Sequence, residues 1–207
     1  MNSNDGGVGR TLALWDYRRR VTDLYGRVRE LEPSVAHALW VATRDDLFRS
    51  HLQSPLPDAV RPSFGGLAYW RYDPALRAVA TVEPASGAEI ALGHSDGGTT
   101  SGQLFGRARF RLGCADVSLD LYWLDGYAGG VFMPFRDETN GTSTYGGGRY
   151  LLDTVKGADL GHDGERLIVD FNFAYHPSCA HDPRWSCPLA PPGNRLSIPI
   201  LGGERLG

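Results

Sequence analysis

The side chains best placed to do chemistry lie between Val131 and Asn172. Asn140-Gly141 is a strong two-residue hairpin signal. A turn there sets Thr139 against Thr142, Arg136 against Tyr145, Pro134 against Gly147 and Phe132 against Arg149. Opposed residues share a face of the ladder. One face then carries Arg136, Tyr145 and Arg149 over a low floor of Pro134 and Gly147; Val131, Met133, Phe135 and Tyr150 form a core face behind it. Two guanidiniums suit bidentate recognition of a carboxylate or phosphate. Tyr145 is the candidate proton donor and Asp170 the candidate base, with Asn172 on the same strand face as Asp170. The competing reading closes Asp170 onto Arg149 or Arg136 as a buried structural pair.

A second reactive stretch runs from His176 to Cys187 and holds two His and two Cys. Its spacing, H-x2-C-x-H-x5-C, is not that of a zinc knuckle, so metal ligands are not assigned and a metal stays only as an alternative reading. A Cys179–Cys187 redox pair and two simply packed thiols both stay open. Tyr145-Gly-Gly-Gly-Arg149 lacks the Lys-Ser/Thr of a phosphate loop. No G-x-G-x-x-G precedes a helix in the chain, so no nucleotide cofactor is expected.

These residues need a scaffold. Leu14, Tyr17, Val21, Leu24, Val28 and Leu31 make a helical stripe over 11–31. Pro33 suits the first position of a second helix, reaching to about Phe48 with Ala36, Leu39, Trp40, Thr43 and Leu47 inward. From residue 60 the period changes to two. Gln103–Leu112 alternates, with Leu104, Ala108, Phe110 and Leu112 on one face and Arg107, Arg109 and Arg111 on the other. Val117, Leu119, Leu121 and Trp123 continue the core, and Arg166–Tyr175 reads as a last strand. Consecutive strands without a βαβ rhythm predict an antiparallel β-barrel or sandwich with two N-terminal α-helices packed on it. The expected organisation is a flexible 1–10, a helical 11–50 and a β domain over 51–207, all one globular unit.

The 207 residues carry a net charge of −3, with 42% hydrophobic and 22% charged residues, ordinary for a folded chain with a sizeable core. This charge gives no reason to expect a nucleic-acid partner. The polar start, with no apolar run, predicts neither membrane association nor export. Three cysteines, an odd count, fit a reducing, cytoplasmic setting.

The chain resembles the bacterial and archaeal family known as domain of unknown function 1684. Ser54-Pro-Leu-Pro57, Phe64-Gly-Gly-Leu67 and Phe135-Arg-Asp-x-Thr-x-Gly-x-x-Thr-Tyr-Gly-Gly-Gly-Arg-Tyr150 carry the likeness. So do Asp170-Phe-Asn172, Tyr175, Pro177-x-Cys-Ala180, Cys187-Pro-Leu-x-Pro-Pro-x-Asn194 and Gly203-Glu204. His176 and His181 depart from the family pattern of Asn and Tyr; Gly193 and Arg205 depart from Glu and Lys. The resemblance implies that the matched polar set of Asp137, Tyr145, Arg149, Asp170, Asn172, Tyr175, Cys179, Cys187 and Asn194 serves a ligand pocket.

The expectation is therefore a protein whose Arg136/Tyr145/Arg149 face takes an anionic or polar small molecule, as binder or enzyme. Two alternatives stand beside it. One is a partner-binding module using the basic helix face with Trp15, Tyr17 and Trp40. The other is a redox or metal protein at Cys179 and Cys187.

Overall fold

The computed structural model describes residues 5–127, 129–164 and 166–207. Helix α1 spans Asp5–Glu30 and α2 spans Pro33–Ser50. The first helix thus starts within the segment expected to be flexible. Pro33 occupies the first turn of α2, where its missing N–H costs no hydrogen bond. The strands are β1 (Ala68–Tyr69), β2 (Arg77–Gly93), β3 (Thr99–Leu112), β4 (Ala115–Leu124), β5 (Gly130–Phe135), β6 (Arg149–Asp153), β7 (His162–Asp163), β8 (Arg166–Asp170) and β9 (Glu204–Arg205). Seven of them form one antiparallel sheet in the order β6-β5-β4-β3-β2-β8-β7, while β1 pairs with β9. The sheet curls into a half-barrel, open between β6 and β7.

The sheet has an apolar layer on each face. One cluster gathers Ala108, Phe110, Leu119, Leu121, Met133, Phe135, Leu152, Val169 and Phe171. The other joins Leu24, Tyr25, Val28, Ala36 and Trp40 of the helices to Tyr122, Phe132, Tyr150, Phe173 and Tyr175. The helices are therefore part of the core. The expected alternation in β3 holds from Gly106 onward: Ala108, Phe110 and Leu112 are buried, and the arginine row faces out. That row pairs with acids, Arg107 with Asp120 at 2.6 Å, Arg109 with Glu83 at 2.5 Å and Arg111 with Asp116 at 3.4 Å.

Bulges produce the curl and explain the misplaced residues. A register shift between Leu104 and Gly106 turns Leu104 toward the helix-side cluster and leaves Phe105 on the other face. A Cβ on Gly106 would meet the Val82 side chain at 3.0 Å, so the tight bend there needs glycine. Trp123, expected in the core, is 41% exposed near the end of β4. β8 ends at Asp170, because the Asp170 carboxylate accepts the Asn172 N–H at 3.0 Å and caps a 3-10 turn over Phe171–Phe173. That turn sends Phe173 and Tyr175 to the opposite cluster from Leu167 and Val169.

Candidate functional site

The two-residue hairpin at Asn140-Gly141 does not form. The β5–β6 register pairs Phe132 with Asp153, Met133 with Leu152, Pro134 with Tyr150 and Phe135 with Arg149. Residues 136–148 are a loop wired by its own side chains. Thr139 N–H donates to Asp137 Oδ1 at 2.6 Å, Asp137 N–H to Asn140 Oδ1 at 2.6 Å, and Asn140 Nδ2 to the Tyr145 carbonyl at 2.8 Å. Asp, Asn and Thr here offer the backbone an alternative to ladder pairing, and it wins. The expected pocket floor of Arg136, Tyr145 and Arg149 is consequently absent.

Arg149 is completely buried under the C-terminal segment. Its Nη2 donates to Asp137 Oδ2 at 2.6 Å and to the Ile200 carbonyl at 2.9 Å; its Nη1 donates to the Gly202 carbonyl at 2.5 Å. The guanidinium also lies 5.4 Å from the Trp70 ring and 5.1 Å from Phe135. Burial pulls its pKa down while Asp137 opposes that pull. Asp137 and Arg149 thus form a closed strut, with no room for a ligand anion between them.

The other expected residues also tie segments together. Asn172 Oδ1 accepts the Asp73 N–H at 2.9 Å and its Nδ2 donates to the Asp73 carbonyl at 2.8 Å, fastening the segment before β2. Asp170 meets Asn172 Nδ2 at 2.7 Å and Arg77 at 3.3 Å. Burial raises its pKa. Asn194 bridges β4 and β5, donating to the Asp120 carbonyl at 3.0 Å and the Pro134 carbonyl at 2.7 Å. Tyr175 is buried, with Arg44 4.9 Å from its ring. Arg136 uses its backbone N–H on the Asn194 carbonyl at 2.7 Å. Among the expected site residues, Tyr145 and Arg136 keep partial exposure.

Two arrangements have chemical potential. The first surrounds Glu204, which is almost fully buried. Arg44 approaches Oε2 at 2.5 Å, His181 Nε2 approaches Oε1 at 3.1 Å and His176 Nδ1 approaches Oε1 at 3.3 Å. Burial works against this charge, but Arg44 and the two imidazoles outweigh it and hold the carboxyl well below the usual range. Proximity alone makes His176, His181 and Glu204 a possible cation cage, their ligand atoms lying within 4.8 Å of one another. The donor chemistry does not fit. His176 Nε2 accepts the Tyr145 N–H at 3.2 Å, so the ring proton of neutral His176 sits on Nδ1 and points at Glu204. Arg44 already holds the other carboxylate oxygen. Arg44, His176 and His181 thus form a buried charged cluster around Glu204.

On the surface side of that cluster stand Tyr145, Cys179 and Cys187. The Cys179 N–H points at the Cys187 sulfur at 3.4 Å, and Cys179 Sγ lies 3.8 Å from the Tyr145 hydroxyl. Cys179 is half-buried; Cys187 is buried.

The second arrangement is a cleft of about 610 Å³ on the open side of the half-barrel. Val82, Phe105, Leu121, Val131, Leu152 and Leu167, one from each of six strands, form its apolar wall. Thr154, Asp159, His162 and Arg166 stand among its remaining lining residues. The sequence does not mark these residues as a site: the strand pattern gives the same alternation whether a face is filled by a helix or left open. Phe105 carried the one available signal, a large apolar residue on the arginine side of β3, and that signal is unreadable without the bulge.

The comparisons agree with this architecture. The chain is similar to the solution NMR structure of an uncharacterized protein from gene locus rrnAC0354 of Haloarcula marismortui, with 36% identity and a TM-score of 0.59. The match covers 80% of this chain and 89% of that one. No curated protein matches. A family model described as "Protein of unknown function (DUF1684)" matches residues 62–205. With its helices, curled sheet and buried Asp137–Arg149 strut inside or beside that span, the chain belongs to the DUF1684 family.

Proposed function

We propose that this chain is a small-molecule-binding protein whose ligand seats an apolar body in the open side of the half-barrel. One observation carries the reading: six strands each contribute an apolar side chain to one concave wall. A volume of about 610 Å³ lies within the range of small-molecule sites, roughly 300–1,000 Å³. Leaving such a wall wet has a cost, since each buried CH₂ of a ligand contributes about 0.8 kcal/mol. The polar groups are few. Asp159 is paired with Arg29 at 3.1 Å and Arg166 with Asp163, so orientation falls to His162, Thr154 and the paired Arg166. The ligand class is an amphiphile with a polar or anionic end, seated in the cleft and not on the Arg136/Tyr145/Arg149 face where an anionic or polar small molecule is expected from the sequence.

The partner-binding alternative has less support. Trp40, one of its three aromatic residues, is fully buried and donates to the Tyr25 hydroxyl at 3.0 Å. No helix among the described residues is long and apolar enough to cross a membrane.

An NMR titration with a medium-chain carboxylate tests the reading. Amide shifts concentrated at Val82, Phe105, Leu121, Val131, Leu152 and Leu167 are expected. Shifts confined to the Tyr145–Cys187 region, or none up to the solubility limit, would refute it.

A further inference from the structure

We propose that Cys179 and Cys187 form a thiol–disulfide exchange site that takes a low-molecular-weight disulfide, with Cys179 as attacking sulfur and Cys187 as resolving sulfur. This site is separate from the cleft and does not depend on it.

The geometry comes first. Ser178–Ala180 is a 3-10 turn, and a second turn, closed by Trp185 N–H to the Asp182 carbonyl at 3.2 Å, folds the chain back onto it. The fold-back sets the Cys187 sulfur 3.4 Å from the Cys179 N–H. The Cys179 sulfur is three bonds from that nitrogen, so the two cysteines are close neighbours. The Cys187 backbone is pinned in turn, its N–H donating to Ser95 Oγ at 3.3 Å.

The two thiols differ as the roles require. Cys179 keeps solvent access, while Cys187 is 7% exposed. A hydrogen bond from Cys187, then others from Ser95 and Tyr145, lower the Cys179 thiol to about 6. The bond to Cys179 and burial push Cys187 the other way. Tyr145, raised to about 12 by burial and by Cys179, stays protonated and can donate its hydroxyl to the thiolate. An accessible thiolate beside a sheltered thiol that holds the shared proton is the arrangement dithiol exchange uses.

The step balances. The Cys179 thiolate attacks one sulfur of R–S–S–R, forming a Cys179–S–R bond and releasing RS⁻. Cys187 then attacks Cys179 Sγ, its proton leaving with the departing sulfur, and a second thiol is released. The protein loses two electrons and two protons, and the disulfide gains them as two RSH.

The test uses the full chain with Cys114→Ser, which removes the exposed third thiol in the β3–β4 turn. Reduced protein is mixed with glutathione disulfide, and thiols, adducts and released glutathione are counted by mass spectrometry. The expected result is loss of both thiols, a Cys179–Cys187 disulfide in the peptide map, and two glutathiones per chain. Adding Cys187→Ser should trap one glutathione on Cys179. At pH 6, in the chain that keeps Cys187, Cys179 should be modified several-fold faster than an ordinary surface thiol, the direction that its lowered thiol gives. Cys114 of the wild-type chain is the internal comparison. Two thiols that stay free while Cys114 is modified would overturn the proposal. So would a Cys179→Ser chain whose Cys187 is modified as fast as Cys179 was.

Discussion

Replacing Arg149 with Met separates a buried strut from a ligand-holding arginine. The wild-type guanidinium is fully buried, pairs with Asp137 at 2.6 Å and donates to the carbonyls of Ile200, Gly202 and Glu204. Methionine roughly fills the aliphatic volume but leaves the Asp137 carboxylate without its countercharge and three carbonyls without their donor. Removing one partner of a buried pair costs about 3–5 kcal/mol. In a chain of this size that is a fall in melting temperature of roughly 6–20 °C. Urea and thermal unfolding followed by circular dichroism measure it. The double variant Asp137→Leu/Arg149→Met should recover part of the loss, because no unpaired charge remains. Were Arg149 a pocket cation instead, its removal would relieve electrostatic strain. A shift of less than about 2 °C, or a double variant worse than the sum of the singles, would refute the strut.

Two further outcomes follow from the same packing. Glu204, whose carboxyl is held below its ordinary range, contributes stability above the unfolded glutamate value of about 4.3 and loses it as pH falls through the depressed folded value. Glu204→Gln should therefore destabilise at pH 7 and flatten the acid limb of the urea midpoint; an unchanged acid limb would contradict this. Deleting residues 1–50 removes Leu24, Tyr25, Val28 and Trp40 from the core. The remainder should lose dispersed NMR signals, whereas a folded remainder would show that the helices are an appendage.

The fold was legible where local periodicity and packing agree. The two helices, Pro33 at its first turn and the paired arginine row of β3 follow from a 3.6 or a 2.0 repeat and from charge facing water. Failures came where side chains bond to backbone. Asn140-Gly141 carries strong hairpin chemistry, yet Asp137, Thr139 and Asn140 bind the loop to itself and move the ladder by three residues at Pro134 and four at Phe132. Bulges at Leu104 and Met133 flip faces without leaving a pattern to read. The polar set around Arg149, Asp170 and Asn194 reads in the sequence as the lining of a ligand pocket, whereas in the fold these side chains fasten segments to one another. Its partners are carbonyls of residues 200–204, Asp73 and Pro134, long-range pairings that no spacing rule supplies. Glu204 enters the sequence reading only through the family likeness and without a role, because its partner Arg44 lies 160 positions away.

The most direct test of ligand binding in the half-barrel is an equilibrium titration with an environment-sensitive alkyl fluorophore, comparing the wild type with Val131→Trp. The indole would occupy the wall between Leu121 and Leu152 without touching the Arg149 strut or the Glu204 cluster. Saturable binding at one site per chain, weakened at least about ten-fold in a variant of unchanged melting temperature, is the predicted result; ten-fold is about 1.4 kcal/mol, fewer than two buried CH₂ groups. Binding that is equally tight in both chains, or no saturable binding to the wild type, would contradict it.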